Sequence, residues 1–222
     1  MNTEGLLASK SGVLEGKKGN KRMMKNATRV SLILAMCMAA PTISRADSTT
    51  YRVRDDGKSR VTFVSDAPLE TMTGKTSKVT GKLTIDPADI TKTKGSFKSP
   101  VVSLRTDNDL RDEHLQGDGW LDAKKHPNIH FQITEVILGK KGSAELKKNK
   151  ETKVQVKGKF TIHGITKPVI ANGSVKWSDA GMHIKAQFTV ALEDHMISVP
   201  SIVRLKVAND IAVSVDLHAV AK

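Results

Sequence analysis

The sequence of 222 residues contains a single cysteine and only eight aromatic side chains. One cysteine excludes an intrachain disulfide framework and a zinc module built from several cysteines. The common enzyme motifs are absent as well: there is no G-x-S-x-G nucleophile elbow, no H-E-x-x-H pair and no complete phosphate-binding loop. Gly74-Lys75-Thr76 resembles the end of such a loop, but Leu69 stands where its first glycine belongs. We therefore expect no catalysis and no cofactor.

The N-terminus has the pattern of a cleavable export signal. A basic segment over 21–29 precedes an apolar run over 30–40, and the small-x-small pattern Ser44-Arg45-Ala46 follows. The apolar run is too short for a permanent membrane span. We expect cleavage after Ala46 and a periplasmic protein. Residues 1–46 are then an N-terminal extension and signal peptide, with Met23 or Met24 as alternative starts, and residues 47–222 form one domain.

The positive charge does not indicate a nucleic-acid partner. Basic residues outnumber acidic ones 36 to 23, a net charge of +13, but eight of the basic residues lie within 1–46. The aromatic side chains fall on apolar strand faces and not between exposed lysines, where a base-stacking platform needs them. We interpret the outer lysines as a solvated face that also protects strand edges. These lysines are Lys153, Lys157, Lys159, Lys176 and Lys185.

Alternation of apolar and polar residues dominates the chain after residue 46. It is strict over 153–163 and 182–192, and it recurs near the C-terminus at 211–217. Weaker runs occupy 59–65, 76–85, 95–104, 129–138 and 169–177. A period of two indicates strands with one dry and one wet face, which is typical of antiparallel sheet.

Turn and helix signals complete an all-β meander. Turn-type residues separate the strands, as at Asp55-Asp56-Gly57, Asp179-Ala180-Gly181 and the segment 163–168. The best helix signal covers 107–116, where Thr106 and Asp109 resemble a capping box and Gly117 ends the helix.

About eight long strands can close into an up-and-down barrel or stack as a sandwich. Their length and continuous apolar faces favour a barrel. The small inward-facing residues allow an open, apolar interior, although a fully packed barrel fits the pattern as well. These small residues are Gly81, Gly158, Ala171, Gly173 and Ala186.

Two segments resemble the signatures of the YceI-like family. The first covers Arg111-Asp112-Glu113-His114-Leu115, Trp120-Leu121-Asp122 and 126–131, and is similar to R-D-x-H-L … F-D … Y-P-x-I-x-F. The second, over 158–169, is similar to G-x-L-T-I-H-G-V-T-K-P-V. The resemblance covers roughly 51–220, and it is specific because two separate motifs occur in the right order.

The resemblance implies a lipocalin-like antiparallel barrel, exported in many members, with a lipophilic tunnel for a polyisoprenoid or another long-chain lipid. It implies no catalytic chemistry. The chain departs from the family at 193–197, where Glu-Asp-His-Met-Ile replaces an Arg followed by Asp-Phe-Gly. The departure bears on the identity of the ligand and on any head-group contact there.

Burial of a long apolar chain supplies binding energy without specific polar contacts, because each buried methylene contributes about 0.8 kcal/mol. We select inward-facing apolar residues as candidate ligand contacts, with ordinary core packing as the alternative at each position. The candidates are Phe63, Phe97, Phe131, Phe160, Ile162, Trp177, Ile184, Phe188, Val213 and Val215.

Two groups of polar residues have alternative interpretations. Arg111, Asp112 and His114 could contact a lipid head group at the barrel mouth, or they could fasten the short helix to the rim, which we favour. His126 and His130 lie near His114 in sequence, but a zinc site needs three or four convergent ligands. Alternation places His130 on the outer strand face, so we predict no metal.

We predict an exported lipid-binding protein that holds a polyisoprenoid or other long-chain lipophilic ligand in the barrel, for storage or transport across the periplasm. One alternative is a non-enzymatic stress-response or structural barrel without a physiological ligand. Another is binding of an anionic membrane through the basic surface. Transient membrane contact is compatible with a lipid carrier. The oligomeric state stays open, with a homodimer as one option.

Overall fold

A computed structural model describes residues 48–139 and 142–222. The expected signal peptide lies outside the described residues. Alternating sequence segments form ten antiparallel strands, and one α-helix interrupts them. The strands are β1 (Thr49–Val53), β2 (Arg60–Asp66), β3 (Thr71–Thr76), β4 (Thr80–Ile85), β5 (Lys94–Pro100), β6 (Asn128–Leu138), β7 (Glu151–Ile162), β8 (Ile165–Ser178), β9 (Gly181–Ala191) and β10 (Asp210–Ala221).

The ten strands build a barrel with eight strand positions around its ring, and we call each position a stave. Consecutive strands pair around one sheet from β4 to β10, and β1 pairs with both β4 and β10 to close the ring. Strands β1 and β2 both lie against β10, opposite 219–221 and 211–216 respectively. They are therefore two halves of one stave, and β3 and β4 are the halves of the next. The predicted up-and-down barrel of eight staves is confirmed.

A break at 54–59 separates β1 from β2. Gly57 lies there with φ of +76°, a conformation that glycine adopts without steric cost. Ser59 is fully buried beside the break, and its hydroxyl accepts a hydrogen bond of 3.1 Å from the His218 backbone amide. The side chain thus replaces a bond of the interrupted ladder. The turn signal at Asp55-Asp56-Gly57 marks this break and not a chain reversal.

The turn between β7 and β8 is shorter than the sequence suggested. Only His163 and Gly164 form it, with φ of +51° and +74°, the signs of a type I′ hairpin. Ile162 pairs with Ile165 directly beside the turn, so β8 begins at residue 165 and includes Pro168. The interpretation of 163–168 as a spacer was wrong.

The helix α1 covers Asp109–Gln116, within the predicted range. Its N-cap is Asn108, whose side chain accepts from the Arg111 amide at 2.9 Å. The predicted capping box at Thr106 was wrong, because the Thr106 hydroxyl donates instead to the buried Asp112 carboxylate at 2.7 Å. The helix ends at Gly117, as predicted.

The connections 67–70, 101–127, 163–164 and 192–209 all lie at one end of the barrel, which we call the lid end. The two long connections, 101–127 and 192–209, form what we call the lid. One group of buried apolar side chains packs beneath them and includes Val101, Leu121 and Ile197. A second group, including Leu83, Ile85 and Leu217, packs towards the opposite end. Across the described ranges, no helix combines the length and the apolar character that a membrane crossing requires.

Candidate functional site

The barrel encloses a cavity of about 240 Å³. Residues from every stave line it, and the surface that they present to it is almost wholly apolar. The interior is therefore an open, apolar space and not a fully packed core. Such a space suits an apolar ligand, because polar atoms would lose water there without gaining hydrogen bonds.

Nine of the ten candidate contacts line the cavity wall. Trp177 does not: it lies next to the end of β8, opposite Met182, and packs against the core group of the opposite end. Contact with a ligand stays a prediction for all ten. The nine wall residues are Phe63, Phe97, Phe131, Phe160, Ile162, Ile184, Phe188, Val213 and Val215.

Three phenylalanine rings of this wall lie directly over glycines of a neighbouring strand. A Cβ atom at each glycine would stand well inside van der Waals contact with the ring. The rings therefore lie close to the barrel wall and leave the centre free. The three pairs are Phe63 with Gly74, Phe97 with Gly81, and Phe131 with Gly158. Gly81 and Gly158 are among the small residues noted in the sequence, whereas Gly74 is not. All three widen the bore by giving space to aromatic side chains.

One wall residue brings an unsatisfied polar atom into this apolar space. Thr93 is 7% exposed, and its Oγ1 has no hydrogen-bond partner within the described residues. An unpaired buried hydroxyl costs roughly 1–3 kcal/mol. Thr93 follows the 3-10 turn Ile90–Lys92, away from the lid end, so a polar atom of a ligand that reaches this region could satisfy it.

The lid end is closed by apolar side chains that our candidate set omitted. Leu115, Trp120 and Leu121 line the cavity from the connection 101–127, and Ile197 and Val207 do so from 192–209. Three of these residues belong to the first family-like motif. The sequence offered one signal for these three, since they are apolar residues beside the charged residues of the motif. Alternation could not find them, since they lie outside strands.

Arg111 fastens the lid to the barrel rim. Its Nη1 donates at 3.0 Å to Oε1 of Glu70, which lies in the connection between β2 and β3. Its Nε and Nη2 donate to the hydroxyl and the carbonyl oxygen of Thr106, each at 3.0 Å. This network supports the structural interpretation over the head-group interpretation for Arg111.

Asp112 and His114 lie on opposite sides of the same helix. The Asp112 carboxylate is buried and accepts from both the amide and the hydroxyl of Thr106 at 2.7 Å. His114 is exposed to solvent. The structure therefore does not bring the three predicted head-group residues together around one point, and a head-group role remains untested.

His195 occupies the segment where the chain departs from the family pattern. It is 1% exposed, its ring lies edge-on to Phe160, and its Nδ1–H donates to the Ile165 carbonyl at 3.0 Å. Burial lowers the pKa of His195 below its ordinary value, against the opposing effect of that hydrogen bond. The neutral imidazole is thus part of the core beneath the lid.

Acidification is expected to destabilise the protein through His195. At a pH between the lowered folded-state pKa of His195 and its unfolded pKa of about 6.5, the unfolded chain binds a proton at this residue and the native state does not. Stability therefore falls as the pH drops through this window. Thermal unfolding between about pH 7.5 and pH 5 should show a smaller decline for His195→Asn, which keeps a donor and removes the titration. His130→Ala, at an exposed strand position, should retain the wild-type slope; an equal slope for His195→Asn would contradict the assignment.

The eight-stave meander around an apolar cavity defines a lipocalin-like antiparallel barrel. The model of the YceI-like domain matches residues 51–219, and the chain belongs to this family. The resemblance of the two sequence motifs is thereby confirmed.

Relatives in sequence include several proteins named UPF0312. One from Vibrio cholerae is 32% identical over 99 residues, which are 45% of this chain and 47% of the relative. The chain thus spans about half the length of the first relatives it matches. One from Pseudomonas putida is 26% identical over 188 residues and covers 81% of this chain and 93% of the relative.

Solved structures share the fold at low sequence identity. Burkholderia cenocepacia BcnA is 20% identical with a TM-score of 0.64, covering 74% of this chain and 98% of its own. A polyisoprenoid binding domain from Saccharophagus degradans is 15% identical with a TM-score of 0.61, covering 79% and 100%. At these identities the likeness establishes the architecture.

Proposed function

We propose that the protein binds a polyisoprenoid or another long-chain lipid inside the barrel, without a chemical reaction. The observation that carries the proposal is the barrel cavity with its almost wholly apolar wall. The description of the Saccharophagus degradans structure as a polyisoprenoid binding domain supports it. The hydroxyl of Thr93 favours a ligand that carries a polar atom at the end farthest from the lid.

The bound chain is held mainly by desolvation. Each methylene that leaves water contributes about 0.8 kcal/mol, so a chain of ten methylenes gains roughly 8 kcal/mol before ordering costs. Selection then depends on the bore set by the phenylalanine rings and on the few polar groups at the ends.

We further propose that the protein is exported to the periplasm, with cleavage after Ala46, and that it stores or ferries its ligand there. Opening at the lid segments 105–120 and 193–200 would release the lipid. Six of the seven large apolar side chains that are exposed among the described residues lie at the lid end, which favours transient contact with a membrane surface there. They are Leu69, Val102, Leu110, Met196, Ile202 and Leu205.

Native mass spectrometry of the protein purified from the cells that make it tests the proposal. We expect a stoichiometric adduct whose extracted mass is that of an isoprenoid or acyl lipid, on a chain beginning at Asp47. A bare protein that also takes up no long-chain lipid on titration would contradict lipid binding. A chain that retains residues 1–46 in every fraction would contradict export and leave lipid binding intact.

A further inference from the structure

Three side chains of metal-binding type meet on the outer face of the barrel. His183 Nε2 lies 2.6 Å from Asp216 Oδ1, and His218 Nε2 lies 3.5 Å from the same oxygen. One potential ligand atom from each of the three lies within 4.8 Å of the others. Among residues 48–139 and 142–222, no other trio of His, Cys, Asp or Glu converges in this way.

Strand pairing creates the cluster. His183 on β9 lies directly opposite His218 on β10, and Asp216 is two residues before His218 on the same face. The two imidazoles stack with ring centroids 4.3 Å apart and 16° between their planes. The barrel backbone therefore holds all three side chains in register before any ion binds.

We propose that His183, Asp216 and His218 bind a divalent transition-metal ion of the zinc type. Two imidazole nitrogens and one carboxylate are a ligand set suited to zinc, copper or nickel, whereas magnesium and calcium prefer all-oxygen sites. Three protein ligands leave a fourth tetrahedral position to water or to an external ligand. The side chains are one-third to one-half exposed, so an ion can enter from solvent.

Small side-chain movements convert the cluster into a site. At metal–ligand distances of roughly 2.0–2.2 Å, ligand atoms of a tetrahedral site lie about 3.3 Å apart. The His218–Asp216 distance of 3.5 Å already fits, and the His183–Asp216 distance of 2.6 Å must lengthen by less than about 1 Å. The His183 and Asp216 side chains are partly exposed and can adjust their rotamers without disturbing the core.

Nearby positive charges oppose the ion. In the strand register, Lys185 and Arg60 lie opposite Asp216, and Lys176 lies opposite His183. The Asp216 carboxylate offsets part of this repulsion. We therefore expect an affinity below that of a closed structural zinc site.

The ion would join two strands of the cavity wall. Ile184 follows His183, and Leu217 lies between Asp216 and His218, and both line the cavity on the inner face. An ion that binds only the folded barrel raises its stability by mass action. The outer site would thus strengthen the wall at this part of the lipid cavity.

Calorimetric titration with zinc chloride tests the site in the full chain carrying Cys37→Ser, which removes the single thiol. We expect one ion per chain, at least about tenfold weaker binding in His183→Ala and in His218→Ala, and unchanged binding in His130→Ala. Zinc should also raise the melting temperature of the Cys37→Ser chain and of His130→Ala, but of neither cluster variant. Asp216→Asn, which keeps the size of the side chain, should weaken binding as well. Absence of stoichiometric binding, or binding that survives His183→Ala/His218→Ala, would overturn the proposal.

Discussion

Replacing Gly74 by alanine is expected to weaken lipid binding by at least about tenfold while the barrel stays folded. The three atoms nearest to the added methyl group all belong to the ring of Phe63, which lines the cavity. No backbone atom is among them, so relief comes from movement of the ring towards the cavity centre. Loss of space for two methylenes alone removes about 1.6 kcal/mol of binding energy, more than the 1.4 kcal/mol that corresponds to a factor of ten. Titration with geranylgeraniol, followed by tryptophan fluorescence, to which the cavity-lining Trp120 contributes, measures the effect.

A second substitution separates lost space from general damage. In the double variant Phe63→Ala/Gly74→Ala, the ring that obstructs the cavity is gone, and binding should recover relative to Gly74→Ala. Gly119→Ala is the matched control, because a Cβ atom there has no atom within 4 Å. Wild-type affinity in Gly74→Ala, or a double variant as weak as the single one, would show that the ring does not set the bore.

Strict alternation predicted the barrel because each stave has one face in the core and one in water. The long staves β7 to β10 therefore agree with their sequence segments to within a few residues. The short strand β3 was missed. So was β1, since its five residues give only a weak alternating signal. Its place is fixed by pairing with β10 and β4, which are distant in sequence.

The same pattern predicts which residues face inward but not their height along the barrel. Phe160 and Trp177 are both on inward faces, yet only Phe160 reaches the cavity. Alternation could not predict that Trp120 reaches the cavity, because its position depends on how the connection 101–127 folds back over the barrel. Likewise, the approach of His183 to His218 follows from strand register, which single-strand periodicity does not contain.

Substitution of Asp112 by alanine is expected to destabilise the protein by about 3 kcal/mol. The carboxylate is 6% exposed and accepts from both the amide and the hydroxyl of Thr106, which is itself 4% exposed. Alanine leaves these two donors buried without their acceptor, since water cannot enter freely. Urea unfolding at neutral pH measures the loss, and Glu113→Ala, the exposed neighbour on α1, should change stability by less than about 0.5 kcal/mol.

The loss should also reach the ligand, because Asp112 and Arg111 both hold Thr106, and Arg111 in turn binds Glu70 on the barrel rim. Without the carboxylate, the lid that carries Leu115 and Trp120 is held by fewer contacts, so a bound lipid should dissociate faster than from the wild type. Asp112→Asn keeps one acceptor oxygen and should lie between wild type and alanine in both stability and dissociation rate. Dissociation at the wild-type rate from a destabilised Asp112→Ala protein would mean that the lipid leaves by a route other than this lid.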